Sequence, residues 1–100
     1  HIEEWEEEYG LKIFHCWGER DGGGLGIMVD HAAQNETSLV MAMRPELVQM
    51  ENLPADTTKW PVGVAGKDPR IHASIDFGQK AIEVQKKRMA KILTDALGNL

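Results

Sequence analysis

SIDFGQKAIEVQKKRMAKILTDALG, residues Ser74 to Gly98, is the clearest helical pattern in the sequence. The apolar side chains on the predicted inner face of this helix are Ile75, Ile82, Met89 and Leu93. Ser74 is a residue type that caps helix N-termini, and Gly98 is predicted to lie just beyond the end. The stretch therefore predicts one long amphipathic helix near the end of the chain.

Two shorter helices are predicted upstream of it. The first carries its apolar side chains on one face, at Ile2, Trp5 and Tyr9. Gly10 is well placed to end that helix. The second begins at Asn35 and continues until Pro45 interrupts it, after which PELV adds a further turn.

A buried strand is predicted between these two helices. LKIFHCW, residues 11–17, is nearly continuously apolar, is rich in aromatic and β-branched residues, and is too short for a helix. The runs IMV, residues 27–29, and VGVA, residues 62–65, are further short strand candidates. Because a parallel strand needs neighbours joined by crossovers, the chain is expected to be part of a larger α/β domain.

The composition of the 100 residues indicates a soluble, globular chain of at most one domain, with a modest core. A net charge of -5 argues against a surface built for nucleic-acid phosphates. No apolar stretch reaches the roughly 18–20 residues of a membrane helix, and the acidic start HIEEWEEEYG is unlike a signal peptide. We therefore expect a cytoplasmic chain whose partners include neither nucleic acid nor membrane. The single cysteine, Cys16, cannot form an internal disulfide.

The segment VDHAAQNETS, residues 29–38, holds the candidate functional residues Asp30, His31 and Glu36. Glu36 falls in the first turn of a predicted helix, where a carboxylate commonly meets free backbone N–H groups. The end of a parallel strand is also where open α/β folds bind ligands, and Asp30 is placed to orient the His31 ring. A polar helix start and a working site are both consistent with this spacing. His31 and Glu36 are two candidate metal ligands, where a catalytic zinc usually takes three.

Three segments of the chain together carry a family resemblance. They are YGLKIFHCW, residues 9–17, HAAQNETSLVMAMRPELV, residues 31–48, and WPVGVAGKDPRIHASIDFGQKAIE, residues 60–83. In this order they resemble the helix-to-strand step, the HAGExETS and RPELV segment, and the glycine-rich GVxGDP stretch of the creatininase family. These proteins are creatinine amidohydrolase-like metal-dependent hydrolases. The resemblance covers nearly the whole chain.

The resemblance implies a fold, an activity and a set of site residues. The fold is a three-layer α/β/α sandwich with a mostly parallel sheet, assembled as a homo- or hetero-oligomer. The activity is hydrolysis of a cyclic amide or related C–N bond of a small molecule, by water activated at two divalent ions of zinc, manganese or iron type. Glu36 is the implied metal ligand, and His31 is the implied catalytic residue, which shuttles a proton or holds the substrate. Trp17 is the implied substrate-binding residue, and we expect Asp30, which adjoins His31, to be a second substrate-binding residue.

The chain departs from the family pattern in two ways. Ala33 and Gln34 stand where the family has Gly-Glu, which removes one carboxylate. The family's early E-x-H ligand pair, its following aspartate and its NGHGGN-type segment have no counterpart. Residues 1–100 are therefore interpreted as the C-terminal part of a single creatininase-like domain, inactive alone and completed by segments absent from this chain that supply the other metal ligands. The alternatives are a non-catalytic companion or truncated chain that packs against a full-length partner, and an autonomous ligand-binding domain.

Overall fold

The structure is a computed structural model that describes residues 1–15 and 29–99. Within these residues the α-helices are α1 (Ile2–Tyr9), α2 (Gln34–Met43), α3 (Pro69–His72) and α4 (Ile75–Gly98). Two 3₁₀ helices, Pro45–Leu47 and Met50–Asn52, follow α2. None of the helices in the described part of the chain is long and apolar enough to cross a membrane.

The three helices predicted from apolar spacing are confirmed. Gly10 ends α1 in the left-handed region, with a φ of 63°. α2 begins one residue earlier than predicted and stops before Pro45. Ser74 caps α4, because its side-chain oxygen accepts the N–H of Phe77 at 3.1 Å. The predicted end of α4 is one residue short, since Gly98 still belongs to the helix.

The predicted parallel sheet is wrong for the described residues, which form a small helical structure and not part of a three-layer α/β/α sandwich. The first predicted strand is described over residues 11–15 and pairs with no other strand there. Its backbone bonds run back to α1 instead. The N–H of Leu11 donates to the Glu6 carbonyl at 3.2 Å, and the N–H of Ile13 donates to the Glu6 carboxylate at 2.8 Å.

In the described structure, the run 62–65 supplies one residue to an isolated bridge and Val29 of the run 27–29 supplies none. Of the run 27–29 only Val29 is described, and the run 62–65 contains a turn. His31 and Ala65 form an antiparallel bridge, in which each N–H donates to the other residue's carbonyl at 2.9 Å. A sheet requires successive pairs of this kind, so one bridge does not make one. It does hold the segment before α2 against the segment before α3.

The main packing among the described elements lies between α2 and α4, which cross at small residues. Gly78 and Ala81 are the buried residues of α4. A Cβ added at Gly78 would lie 1.9 Å from the Ser38 carbonyl oxygen and 2.8 Å from the Ala42 Cβ. Ser38 is also buried, and its Oγ accepts the N–H of Ser74 at 3.0 Å. The two helix backbones therefore approach more closely than a side chain at position 78 allows.

α1 contributes no buried residue to the described structure. Its apolar side chains are exposed, at 38% for Ile2, 48% for Trp5 and 63% for Tyr9. A helix of eight residues is marginally stable in water without tertiary packing. The apolar face of α1 is therefore of the kind that packs against further polypeptide.

A buried ion pair organises the connection between α2 and α4. Asp68 caps α3 by accepting the N–H of Arg70 at 2.9 Å, and its carboxylate accepts Nη2 of the same arginine at 2.6 Å. Nη1 of Arg70 donates to the carbonyl oxygens of Pro54 at 2.7 Å and Asp56 at 3.1 Å. These bonds fix the loop against α3. The Arg70 guanidinium also holds the pKa of the Asp68 carboxyl below its ordinary value of 3.8.

Replacing Arg70 with methionine is expected to destabilise the chain near neutral pH and to have a smaller effect in acid. Because the folded-state pKa of Asp68 is depressed, its pairing stabilises the fold above 3.8 and is lost as the pH falls through the folded-state value. Urea unfolding followed by circular dichroism, at about pH 7 and about pH 2.5, measures this difference.

The matched control is Arg44→Met, because Arg44 pairs with Glu46 on the exposed surface. Exposed ion pairs contribute little to stability, so this variant should unfold like the parent chain at both pH values. Equal destabilisation of Arg70→Met at neutral and acid pH would contradict the role given to the Asp68 pair.

Candidate functional site

The candidate residues surround the start of α2, where Asp30 supplies the cap. Ala33 occupies the N-cap position and has no side-chain oxygen. The two carboxylate oxygens of Asp30 accept the N–H groups of Asn35, at 2.6 Å, and Glu36, at 3.1 Å. These are two of the donors that a first helical turn leaves unpaired. Asp30 therefore orients the backbone that carries Glu36. The sequence instead predicted that Asp30 orients the His31 ring.

Glu36 is held by a backbone amide and lies beside His31. Its Oε2 accepts the N–H of Ala32 at 2.6 Å and lies 3.7 Å from Nδ1 of His31. Ala32 has a φ of 50°, in the left-handed region that alanine rarely adopts. A glutamate in the first turn that reaches back to an N–H before the helix resembles a capping box. Glu36 thus has a structural role in addition to any chemical one.

The imidazole and the carboxylate of this pair are both open to solvent. The His31 side chain is 74% exposed and the Glu36 side chain 38%. The distance of 3.7 Å between Nδ1 of His31 and Oε2 of Glu36 is longer than a hydrogen bond, so the ring is not hydrogen-bonded to the carboxylate. An exposed imidazole beside an oriented carboxylate can accept a proton from a bound molecule or donate one to it.

The turn before α3 closes against this site. A Cβ added at Gly66 would lie 2.7 Å from the Asp30 Cβ and 2.8 Å from the Ala33 Cβ, and Gly66 has a φ of 139°. Glycine is the residue that both fits this space, because it has no Cβ, and readily adopts this φ. The carbonyl of Lys67 accepts the N–H of Gln34 at 3.1 Å. Two of the segments that carry the family resemblance therefore contact each other at the site.

Gln34 has a packing role at the position where the resembled family has glutamate. Its side-chain amide donates to the carbonyl of His72 at 3.2 Å, which links the start of α2 to the end of α3. An ionised glutamate has no N–H to make this bond. The predicted substrate wall, Trp17, and the lone cysteine, Cys16, lie outside the described residues.

The donor types at the site suit a divalent metal, but their number falls short. Imidazole and carboxylate groups bind zinc, manganese and iron. Among residues 1–15 and 29–99, no three His, Cys, Asp or Glu side chains form a group that could hold a metal ion. A catalytic zinc usually takes three protein ligands. His31 and Glu36 are therefore two donors of a ligand set that the described residues do not complete.

Two contacts were missed at the level of sequence: the bond from the Ala32 amide to Glu36, and the ion pair between Arg70 and Asp68. The Ala32 amide was detectable in part, because a glutamate three residues after an N-cap position is the capping-box signal. The Asp68 cap was detectable too, since it precedes Pro69, and proline favours the first helical position. The long-range partners of Arg70 leave no local signal.

Comparison of the chain with family models, with curated proteins and with solved structures finds no match. The creatininase resemblance accordingly stays a prediction that depends on the quoted motifs.

Proposed function

We propose that this chain contributes to a hydrolase that opens a cyclic amide or a related C–N bond of a small molecule. One observation carries the proposal: the carboxylate of Glu36 is oriented by the Ala32 amide at 2.6 Å, with an exposed His31 imidazole 3.7 Å away. The motif around this pair, HAAQNETS, is also part of the creatininase resemblance. The proposal depends on these site residues and not on a sheet.

Each group has a separate task in the proposed reaction. Two divalent metal ions, when bound, would supply an activated water and polarise the substrate carbonyl. Glu36 would be one of the metal ligands, because its carboxylate is already oriented by the backbone. His31 would contact the leaving nitrogen and pass a proton to it, since an imidazole both accepts and donates protons. Asp30 would hold Glu36 in place through its bonds to the start of α2.

The proposed site requires polypeptide beyond the residues that the structure describes. His31 and Glu36 supply fewer ligands than a catalytic metal takes. The exposed apolar face of α1, with Trp5 and Tyr9, also requires cover, because large exposed apolar patches mark contacts with other protein. The rest of a longer protein, or a companion chain in an oligomer, would supply both.

A non-catalytic companion that stabilises or regulates a full-length partner is the competing proposal, and Gln34 favours it. The carboxylate of the resembled family is absent at this position, and the glutamine side chain is used in packing, at 3.2 Å from the His72 carbonyl. A companion would retain such packing contacts and would not need the ligand.

Denaturing intact-mass spectrometry of the purified assembly, with metal analysis of the same sample, tests the hydrolase proposal. We expect additional polypeptide carrying an E-x-H pair and an N-G-H segment, together with bound zinc, manganese or iron. A single species of 11.2 kDa without metal would contradict the proposal. A second polypeptide that carries a complete ligand set of its own would favour the companion.

A further inference from the structure

A small pocket lies beside the start of α2, and neither His31 nor Glu36 lines it. This α2 pocket has a volume of 260 Å³. The lining residues that matter here are Val29, Asp30, Gln34, Gly66, Lys67 and Phe77. Pockets for drug-sized ligands run from about 300 to 1,000 Å³, so this one fits a smaller molecule, such as a single ring with one substituent.

The lining of the pocket combines an apolar part with one cation. Val29 and Phe77 are the lining residues with large apolar side chains. Lys67 supplies the positive charge, and it forms no ion pair with a described residue. A molecule that touches both parts of the lining would carry an apolar body and an anionic group.

The negative charge in the lining is already engaged by the protein. Both carboxylate oxygens of Asp30 accept backbone N–H groups at the start of α2, at 2.6 Å and 3.1 Å. The positive end of the helix dipole further offsets this charge. Gln34 adds an uncharged amide, whereas a glutamate there would repel an anion. Lys67 is therefore the charge in the lining that remains open to a ligand.

We propose that the α2 pocket binds a small aromatic carboxylate, with its ring against Phe77 and its anion paired with Lys67. The pocket thereby becomes a second functional site beside the His31 and Glu36 pair. This inference concerns binding alone, so it holds or fails independently of the proposed hydrolysis.

Nitrogen-15 correlation spectra of the full chain test the proposal with three probes that share one ring and differ in charge. The probes are benzoate, benzamide and benzylamine. Benzoate is expected to shift the amide signals of Gln34, Lys67 and Phe77 most strongly. Benzamide should shift them more weakly and benzylamine should not. Binding of benzylamine as tight as that of benzoate, or no shift with any probe, would overturn the proposal.

The variant Lys67→Met isolates the charge, because methionine keeps most of the apolar stem. It should weaken benzoate binding by about three- to fivefold, the size of one partly exposed ion pair, and leave benzamide binding unchanged. Lys59→Met, in an exposed turn outside the pocket, is the matched control and should change neither. Unchanged benzoate affinity in Lys67→Met would overturn the assigned role of Lys67.

Discussion

Replacing Gly78 with alanine is expected to lower the free energy of unfolding by about 2–3 kcal/mol, as overpacking of a tight core site does. The new Cβ would lie 1.9 Å from the carbonyl oxygen of Ser38 and 2.6 Å from its carbonyl carbon. These are backbone atoms, so the clash is relieved only if α2 and α4 move apart. Alanine gains about 1 kcal/mol over glycine in helix propensity, which offsets part of the cost. Urea unfolding followed by far-ultraviolet circular dichroism measures the net change.

Gly98→Ala is the matched control in the same helix. A Cβ added at Gly98 meets no heavy atom within 4 Å. This variant should therefore be neutral or stabilising by up to about 1 kcal/mol, because only the propensity term acts. Opposite signs for the two substitutions would locate the cost at the helix crossing. Similar changes for both would mean that α2 and α4 do not cross as closely as described.

The helices were predictable from sequence because a helix is a local structure. Its hydrogen bonds join residues four apart, and caps such as Ser74 and Gly10 act within one turn. The buried face of α4 was less predictable, since Ile75 is 43% exposed and Leu93 45% exposed. Apolar spacing indicates which face of a helix packs against a neighbour. Which residue of that face is buried depends on the distance between the helices, and the close approach of α2 and α4 buries the small residue Gly78.

The strand prediction failed because the pairing of strands is non-local. A short apolar run such as residues 11–15 is compatible with a strand, but it becomes one only where a neighbour accepts its N–H groups. Here the Glu6 carboxylate takes the N–H of Ile13 at 2.8 Å, and Lys12 adds an ion pair to the same carboxylate at 3.1 Å. These local bonds replace the ladder that the apolar pattern predicted.

The proximity of the candidate residues was predictable from the sequence, but their geometry was predictable only in part. Asp30, His31 and Glu36 lie within one short segment, so their proximity follows from the chain itself. Their roles depend on the path of the backbone, above all on the left-handed Ala32, whose N–H binds Glu36 at 2.6 Å. Nothing in the residue types indicates that alanine adopts this conformation. The contact of the site with the Gly66 turn is likewise tertiary and leaves no local signal.

Replacing His31 with alanine in the assembled protein is expected to lower kcat by about 100- to 10,000-fold, the usual contribution of a general acid or base. The fold should be retained, because the side chain is 74% exposed and the bridge to Ala65 uses only backbone atoms. Steady-state kinetics together with thermal unfolding measure the two effects separately. His72→Ala is the matched control, since its carbonyl bond to Gln34 survives the substitution. Loss of activity in both variants alike would contradict a specific role for His31.

The division between kcat and KM then distinguishes the two roles that the resemblance assigns to His31. Glutamine at this position keeps a hydrogen-bonding side chain but cannot pass a proton at neutral pH. If His31 shuttles a proton, His31→Gln should be as slow as His31→Ala, because the missing step is the same. If His31 holds the substrate, His31→Gln should recover much of kcat with a raised KM. Nearly intact activity in both variants would remove His31 from the chemistry and leave the chain as a companion that packs against the catalytic partner.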